Sequence, residues 1–430
     1  MPRWHVGVFR GRRGAPQAVQ EPLFEIELRP ERRYYRQILQ ALTSILMDGD
    51  QLRAEVAVSR VLGVIWASDP GRDGGAEEAF GRGLVEFAVH ASRTSRQGSR
   101  QVVAPAAANL LRVLAATAAV REVREAAATA LAVRHWPAHP WDPPVGQVAI
   151  GRCWVVEDAF GDHATILCEF EYGEDPGTAV RHGIAVHVDR VAQGAAVDVT
   201  LVDDVDAAEL ELRLGADHAD DEFRRVEPGW AGAVLEQAMA RTDLLPTIPV
   251  APGFAQLRAL TLARVRSLPV STLELVHGPA SSYWPTPHAA PAGAPGQREA
   301  IIAEFCRSQE ASALSSVELL TVVRLAGLLV EFASLIDPAD LLRVSPGRIE
   351  AFLFDWLPAA LRSEPAGPES LTSASVAAAR AVDSVAPADV AAVVRVWTAW
   401  AARQGGTPLL TRDALARAVE EILGEYVREG

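Results

Sequence analysis

The chain has 430 residues and a mass of 46.0 kDa, which suggests about two to four domains, and its formal net charge is −14. All 41 basic residues are Arg, because the sequence contains no Lys. A P-loop, a protein kinase and a Schiff-base enzyme each need a Lys, so none of them can occur here in standard form. We attribute the missing Lys to GC-rich coding, with selection against lysine-directed modification as the alternative.

Three features of the sequence indicate a cytoplasmic protein. The start, MPRWHVGVFRGRR, has no apolar segment or small-residue cleavage site, so we expect no signal peptide. Charged residues interrupt the apolar stretches 102–120 and 317–336, so we expect no transmembrane helix. The spacing of Cys153, Cys168 and Cys306 fits neither a zinc knuckle nor a disulfide framework.

The first 36 residues are locally basic, with eight Arg against four Glu. We interpret residues 1–33 as a basic, partly disordered arm, with docking on an anion or a protein partner as the alternative. The acidic balance of the whole chain argues against nucleic acid as a partner, except through this arm.

Residues 34–145 are predicted to form a helical domain. The apolar periodicity predicts helices that end at Gly49 and at the Asp69-Pro70-Gly71 turn, a third over about 77–93, and a helical pair over 104–134. Short connections favour antiparallel neighbours in a bundle or array. Four prolines within 136–145 end this domain.

Residues 146–276 are predicted to form an α+β domain. Strand candidates lie at 149–157, 165–172, 180–190 and 196–202, and helices follow at about 205–214, 229–241 and 252–267. Because the strands follow one another with short links, they favour an antiparallel sheet.

The last third of the chain is predicted to be helical. Residues 277–297, rich in Pro, Ala and Gly, are interpreted as a linker before a C-terminal helical domain, 298–430. Ser315 and Glu318 suggest a capping box for a helix that runs to about Ile336. The chain as a whole is therefore predicted to have an α+β, predominantly helical fold, with a small antiparallel sheet between two helical domains.

The candidate chemical residues lie on the predicted sheet. His187 and Asp189 are two apart on one strand and so share a face, and Glu169 lies on the polar face of the preceding strand. If these faces coincide, the three side chains would form a metal shell or an acid–base group. The alternative, which we favour, is that they are solvent-facing residues of an antiparallel sheet, and we expect neither a metal nor a cofactor.

Four further residues are candidates for binding. Asp158 and Asp162 lie at the first predicted hairpin, and Asp198 lies on the fourth strand. Trp284, between Tyr283 and Pro285, would cap a pocket or be recognised by a partner, although a Trp that anchors a Pro-rich loop is the commoner case.

The middle of the chain, GRCWVVEDAFGDHATILCEFEYG and then HGIAVHVDRVAQGAAVDVTLVDD, resembles the centre of a large family of uncharacterised proteins from high-GC bacteria, which has no assigned activity. The resemblance rests on Asp158, Gly161, Asp162, Tyr172, Gly173, Val188, Asp189, Gly194 and Asp198. The chain departs from the family pattern at Arg190 and Val191, where a His-Asn pair is expected, and at Ala196, where a Lys is expected. Similar flanking segments extend the resemblance over most of the chain, so it supports the architecture and not a function.

Two functional hypotheses follow from the sequence. The first, which we favour, is a non-enzymatic protein-interaction or adaptor protein whose helical regions offer surfaces to another protein. The second is a metal-assisted hydrolase that uses His187, Asp189 and neighbouring side chains.

Overall fold

The computed structural model describes residues 32–94, 97–133, 135–136, 141, 144–173, 180–219, 221–270, 296–336, 340–358, 385–407 and 409–429. Most of the predicted arm, most of the predicted linker and Trp284 lie outside these residues.

The described part of the chain begins with five helices. They are α1 (Arg32–Met47), α2 (Gln51–Ser68), α3 (Gly75–Thr94), α4 (Gln97–Thr117) and α5 (Arg121–Ala132). Asp50 caps α2 by accepting a hydrogen bond from the Arg53 amide at 2.9 Å, and the helix ends one residue before Asp69. The helices pack around a core of Leu, Val and Ala side chains, and the predicted helical bundle is confirmed.

Five antiparallel strands form the central sheet. They are β1 (Ala149–Glu157), β2 (His163–Tyr172), β3 (Val180–Asp189), β4 (Ala195–Val202) and β5 (Glu222–Val226), in the order β4-β3-β2-β1-β5. Four of them match the predicted strands within two residues at either end, and β5 is an additional edge strand beside β1. The predicted α+β, predominantly helical fold with a small antiparallel sheet is therefore confirmed.

Three helices of the middle segment cover the two faces of the sheet. They are α6 (Val205–Ala219), α7 (Pro228–Leu244) and α8 (Phe254–Ser267). One face, which carries Ile166, Cys168 and Val186, packs against α7, α8 and the sheet-facing side of α2. The other face, which carries Trp154 and Leu167, packs against the inner side of α6.

Helices α2 and α8 join the helical segment to the sheet segment. Gly63 permits their close approach, since a Cβ atom there would lie 1.9 Å from the carbonyl oxygen of Ala255. Trp66 of α2 belongs to the sheet core, whereas Ala259 of α8 belongs to the helical core. The two segments therefore share their cores across the predicted boundary near residue 145.

The C-terminal segment has a core of its own. The helices in its described part are α9 (Gln297–Cys306), α10 (Leu319–Ile336), α11 (Pro346–Glu350), α12 (Pro387–Gln404) and α13 (Leu409–Glu429), with a 3₁₀ turn at Ala311–Leu314 and a π-helical turn at Ala351–Trp356 that continues α11. Phe305, Trp397 and Trp400 pack together at the centre of this core. Because α10 begins at Leu319, Ser315 lies in the preceding turn and the predicted capping box is wrong.

Helix α10 is strongly apolar, and Arg324 and Glu331 are its two charged residues. By length and composition alone it is long enough to cross a membrane, and 50% of its 18-residue window is buried inside the protein. Leu325, Leu328 and Leu329 contribute to the C-terminal core. A helix packed in this way is typical of the core of a soluble protein, and cytoplasmic localisation stays a prediction.

Candidate functional site

Three predicted polar residues meet at one end of the sheet. In the antiparallel register His163 of β2 lies opposite Asp189 of β3, and His187 lies between Thr165 of β2 and Asp198 of β4. The rings of His163 and His187 stack with centroids 5.4 Å apart, and His163 Nδ1 lies 3.9 Å from Asp189 Oδ1. The structure therefore brings His187, Asp189 and Asp198 together, and adds His163 to them.

The carboxylates of this cluster accept hydrogen bonds from nearby backbone amides. Asp189 Oδ1 accepts hydrogen bonds from the Val191 and Ala192 amides at 2.8 and 2.9 Å. Asp198 accepts one from the amide of Val199 at 2.7 Å. Local hydrogen bonds of this kind are a common structural use of Asp, and here they engage one oxygen of each carboxylate.

Asp158 has the same role in the hairpin between β1 and β2. Its carboxylate accepts hydrogen bonds from the amides of Phe160 and Asp162, both at 2.9 Å, and from the amide of His163 at 2.7 Å. Gly161 adopts a φ of 67°, which glycine supplies without strain. These contacts fix the tip of the hairpin, where Asp162 lies.

Asp162 connects the hairpin to the C-terminal segment. Its Oδ2 accepts a hydrogen bond from the Gly347 amide at 3.0 Å, and a Cβ atom on Gly347 would lie only 2.8 Å from that oxygen. Arg343 adds a second connection by donating to the Gly161 carbonyl at 2.5 Å. Burial raises the pKa of Asp162, and the nearby Asp158 carboxylate raises it further.

Arg190, the residue that follows β3, is buried. Arg190 pairs with Glu157 and donates to the Gly161 carbonyl at 3.1 Å. Arg224 of β5 donates to the second oxygen of Glu157 at 2.9 Å. Arg190 therefore has a structural role in this chain, because it ties β3 to the β1–β2 hairpin.

Electrostatics at this end of the sheet favour neutral imidazole. Burial lowers the pKa of His187, and the neighbouring His163 lowers it further. The Thr165 hydroxyl lies 3.2 Å from His187 Nδ1 and can complete its hydrogen bonding. Among the residues that the structure describes, no group of three His, Cys, Asp or Glu side chains has the geometry to hold a metal ion.

Glu169 lies at the opposite end of the same face. It lies four positions along β2 from Thr165, the cross-strand neighbour of His187, and four positions correspond to about 13 Å along a strand. Arg152 donates a hydrogen bond to Glu169 at 2.9 Å, and Arg181 also donates to Glu169. Both arginines donate to Asp206 of α6 as well. Burial opposes ionisation of Glu169, but the two arginines outweigh it and lower its pKa.

The outer side of α6 carries an apolar surface that was not predicted from the sequence. Ala207, Leu210 and Leu214 fall at spacings of three and four residues and line a shallow depression together with Glu211 and Gly215. Leu210 and Leu214 are 55% and 49% exposed. We call these five residues the α6 stripe.

The inner side of α6 explains why this stripe faces outwards. Val205 and Ala208 are buried against the sheet, with Leu212 packed beside them. Apolar residues thus occupy two sides of the helix, and only one of them is covered by the described part of the chain. The sequence indicates this surface by a second set of apolar positions, 207, 210 and 214, beside the buried set 205, 208 and 212.

Comparison with known proteins finds no matching family model, curated protein or solved structure. The resemblance to the high-GC bacterial family therefore stays a prediction.

Proposed function

We propose that this protein is a non-enzymatic interaction protein and that the α6 stripe binds a helix of a protein partner. The observation that carries the proposal is the pair of half-exposed leucines, Leu210 and Leu214, on a helix whose other apolar side is already buried. Helices that bind in shallow apolar depressions insert side chains at this same three-and-four spacing.

Charge around the stripe indicates the chemistry of the partner. Asp203 and Asp204 precede the helix and are exposed, and Glu211 is exposed within the stripe itself. Arg213 lies on the same helix, but it is paired with Glu209 at 2.8 Å. The surface is therefore apolar with an acidic border, which favours an amphipathic partner helix that carries Arg or Lys beside its apolar residues.

The test compares two leucine variants in the full chain. Leu210→Glu places a charge in the stripe, and Leu244→Glu places the same charge at another exposed leucine, at the end of α7 and 76% exposed. Native mass spectrometry of protein isolated from its own host identifies a stoichiometric companion, and titration then gives its Kd. We expect Leu210→Glu to raise the Kd by about 30-fold or more, the effect of removing a hot-spot residue, and Leu244→Glu to leave it unchanged.

Two results would contradict the proposal. One is a companion that Leu210→Glu binds as tightly as the wild type does, while both variants unfold at the same temperature. The other is a chain without a protein companion that carries a stoichiometric metal or small molecule, which would favour an enzyme.

Metal-assisted hydrolysis at His187 and Asp189 is the second candidate function. His163 lies beside them, but no described group of three such side chains has the geometry to hold a metal ion, so the interaction function is the better supported of the two. Hydrolysis requires a bound metal whose content falls in a His187→Ala variant. Wild-type protein that purifies without metal, or a variant that keeps its full metal content, would rule this candidate out.

A further inference from the structure

Strands β1 and β2 bring two thiols together in the middle of the sheet. Cys153 and Cys168 are direct cross-strand partners in the antiparallel register. Both side chains are buried in the core between the sheet and helices α7 and α8. The register of β1 is irregular between Ile150 and Cys153, so Cys153 is the first residue of the regular ladder that continues to Glu157.

The register places this pair within the Cα distance range of a disulfide. Directly opposed residues of antiparallel strands have Cα atoms about 4.5 or 5.5 Å apart. Disulfides join residues whose Cα atoms are about 4.4 to 6.8 Å apart, so both values fall within range. The two thiols also contact each other, and a hydrogen bond between them, together with burial, raises the pKa of Cys168.

We propose that Cys153 and Cys168 form a cross-strand disulfide site, which a small disulfide oxidant such as oxidised glutathione closes in the folded protein. One thiolate attacks the oxidant, forms a mixed disulfide and releases one reduced glutathione. The second thiolate then attacks the protein sulfur of that mixed disulfide and releases the second glutathione. Two protein thiols are oxidised and one glutathione disulfide is reduced to two thiols, so electrons and atoms balance.

Burial determines how the site reacts. The thiolate is the nucleophile, and both sulfurs are shielded from solvent, so closure proceeds through brief opening of the strand pair and is slow. The product would link the two sides of the hairpin whose tip holds Asp162 against Gly347. This inference does not depend on the proposed interaction function.

The sequence makes the test direct, because trypsin cuts this lysine-free chain only after Arg. Arg152 and Arg181 bound a single peptide that contains both Cys153 and Cys168. Cys306 lies in a separate peptide, 299–307, and is partly exposed, so it reports whether the oxidant has reached an accessible thiol. The full-length folded protein is incubated with oxidised glutathione, quenched with acid, unfolded, alkylated and digested.

We expect the 153–181 peptide to lose both alkylation sites and to appear about 2 Da below its reduced, unalkylated mass, since closure removes two hydrogens. Dithiothreitol should restore both alkylation sites. The midpoint of thermal unfolding should rise by a few degrees on closure, because a bond between residues 15 positions apart restricts the unfolded chain.

Three variants complete the experiment. Cys306→Ala keeps the pair and should close like the wild type, whereas Cys153→Ala and Cys168→Ala should each leave one thiol that can be alkylated. If a single variant does not fold, the wild-type peptide mass still decides the question. The proposal is overturned if Cys306 reacts while the 153–181 peptide keeps two free thiols or carries only glutathione adducts, or if closure occurs in urea and not in the folded protein.

Discussion

Removing the buried carboxylate of Glu55 should destabilise the protein severely. Glu55 is fully buried and accepts hydrogen bonds from Arg264 Nη2 at 2.5 Å and from Thr117 at 3.4 Å, and it contacts the Tyr172 hydroxyl. In a Glu55→Ala variant the Arg264 guanidinium stays buried, with neutral groups such as His182 Nε2 at 3.0 Å as its remaining acceptors. Breaking a buried ion pair by removing one partner costs about 3–5 kcal/mol.

Urea unfolding followed by far-ultraviolet circular dichroism measures this effect. With an m-value of about 3 kcal/mol per M, the midpoint should fall by about 1–2 M. The double variant Glu55→Leu/Arg264→Leu removes both charges and should be less destabilised than Glu55→Ala, because no buried charge is left without a partner.

An exposed ion pair provides the matched control. Arg395 pairs with Glu420, and both side chains are about half exposed. Arg395→Ala should therefore cost less than about 1 kcal/mol. A Glu55→Ala variant within 1 kcal/mol of the wild type, or a double variant no more stable than that single one, would refute the argument that an unpaired buried Arg264 charge destabilises the protein.

Two further predictions concern pH and packing. Burial and the Arg264 charge lower the pKa of His182 to about 3, so between pH 6.5 and 3 only the unfolded chain binds this proton. The free energy of unfolding should therefore fall by up to about 1.4 kcal/mol for each unit of pH below about 6. In a plot of urea midpoint against pH, His182→Gln should show a shallower slope than the wild type. Gly63→Ala should lower the free energy of unfolding by at least about 1–3 kcal/mol, because its methyl group would collide with Ala255. Gly424→Ala has open space around it and should raise the free energy of unfolding by up to about 1 kcal/mol. Equal urea midpoints for the two glycine variants would contradict this prediction.

Local patterns were sufficient to predict most of the elements. The alternation in β2 reflects the larger core on one face of the sheet, which a sequence displays directly. The expectation that the other face is open to solvent is wrong, because α6 covers it and both Leu167 and Glu169 are buried there. Strand β5 was not predicted because it has only five residues, three of them charged. It is an edge strand, and its pairing with β1 depends on tertiary contacts.

The candidate site was predictable only in part, because it depends on register. His187 and Asp189 share a face by the period of a strand, as expected. The position of His163 opposite Asp189 is set by the hairpin turn, and the separation of Glu169 from His187 is set by distance along the strand. The ion pair of Glu55 and Arg264 joins residues 209 positions apart, and no local pattern in the sequence indicates that they meet.

That separation also sets an order of events during synthesis. Helix α2 buries Glu55 only when α8 arrives with Arg264, 209 residues later. At about 5–20 residues per second the ribosome needs roughly 10–40 s to make that stretch. In the later part of this interval, after α5 ends at Ala132, all five helices have been made without α8, so the nascent chain presents an apolar surface and an unpaired Glu55 carboxylate. We therefore expect the protein to need protection from aggregation while it is translated, and its N-terminal helices to reach their final packing only after the sheet has formed.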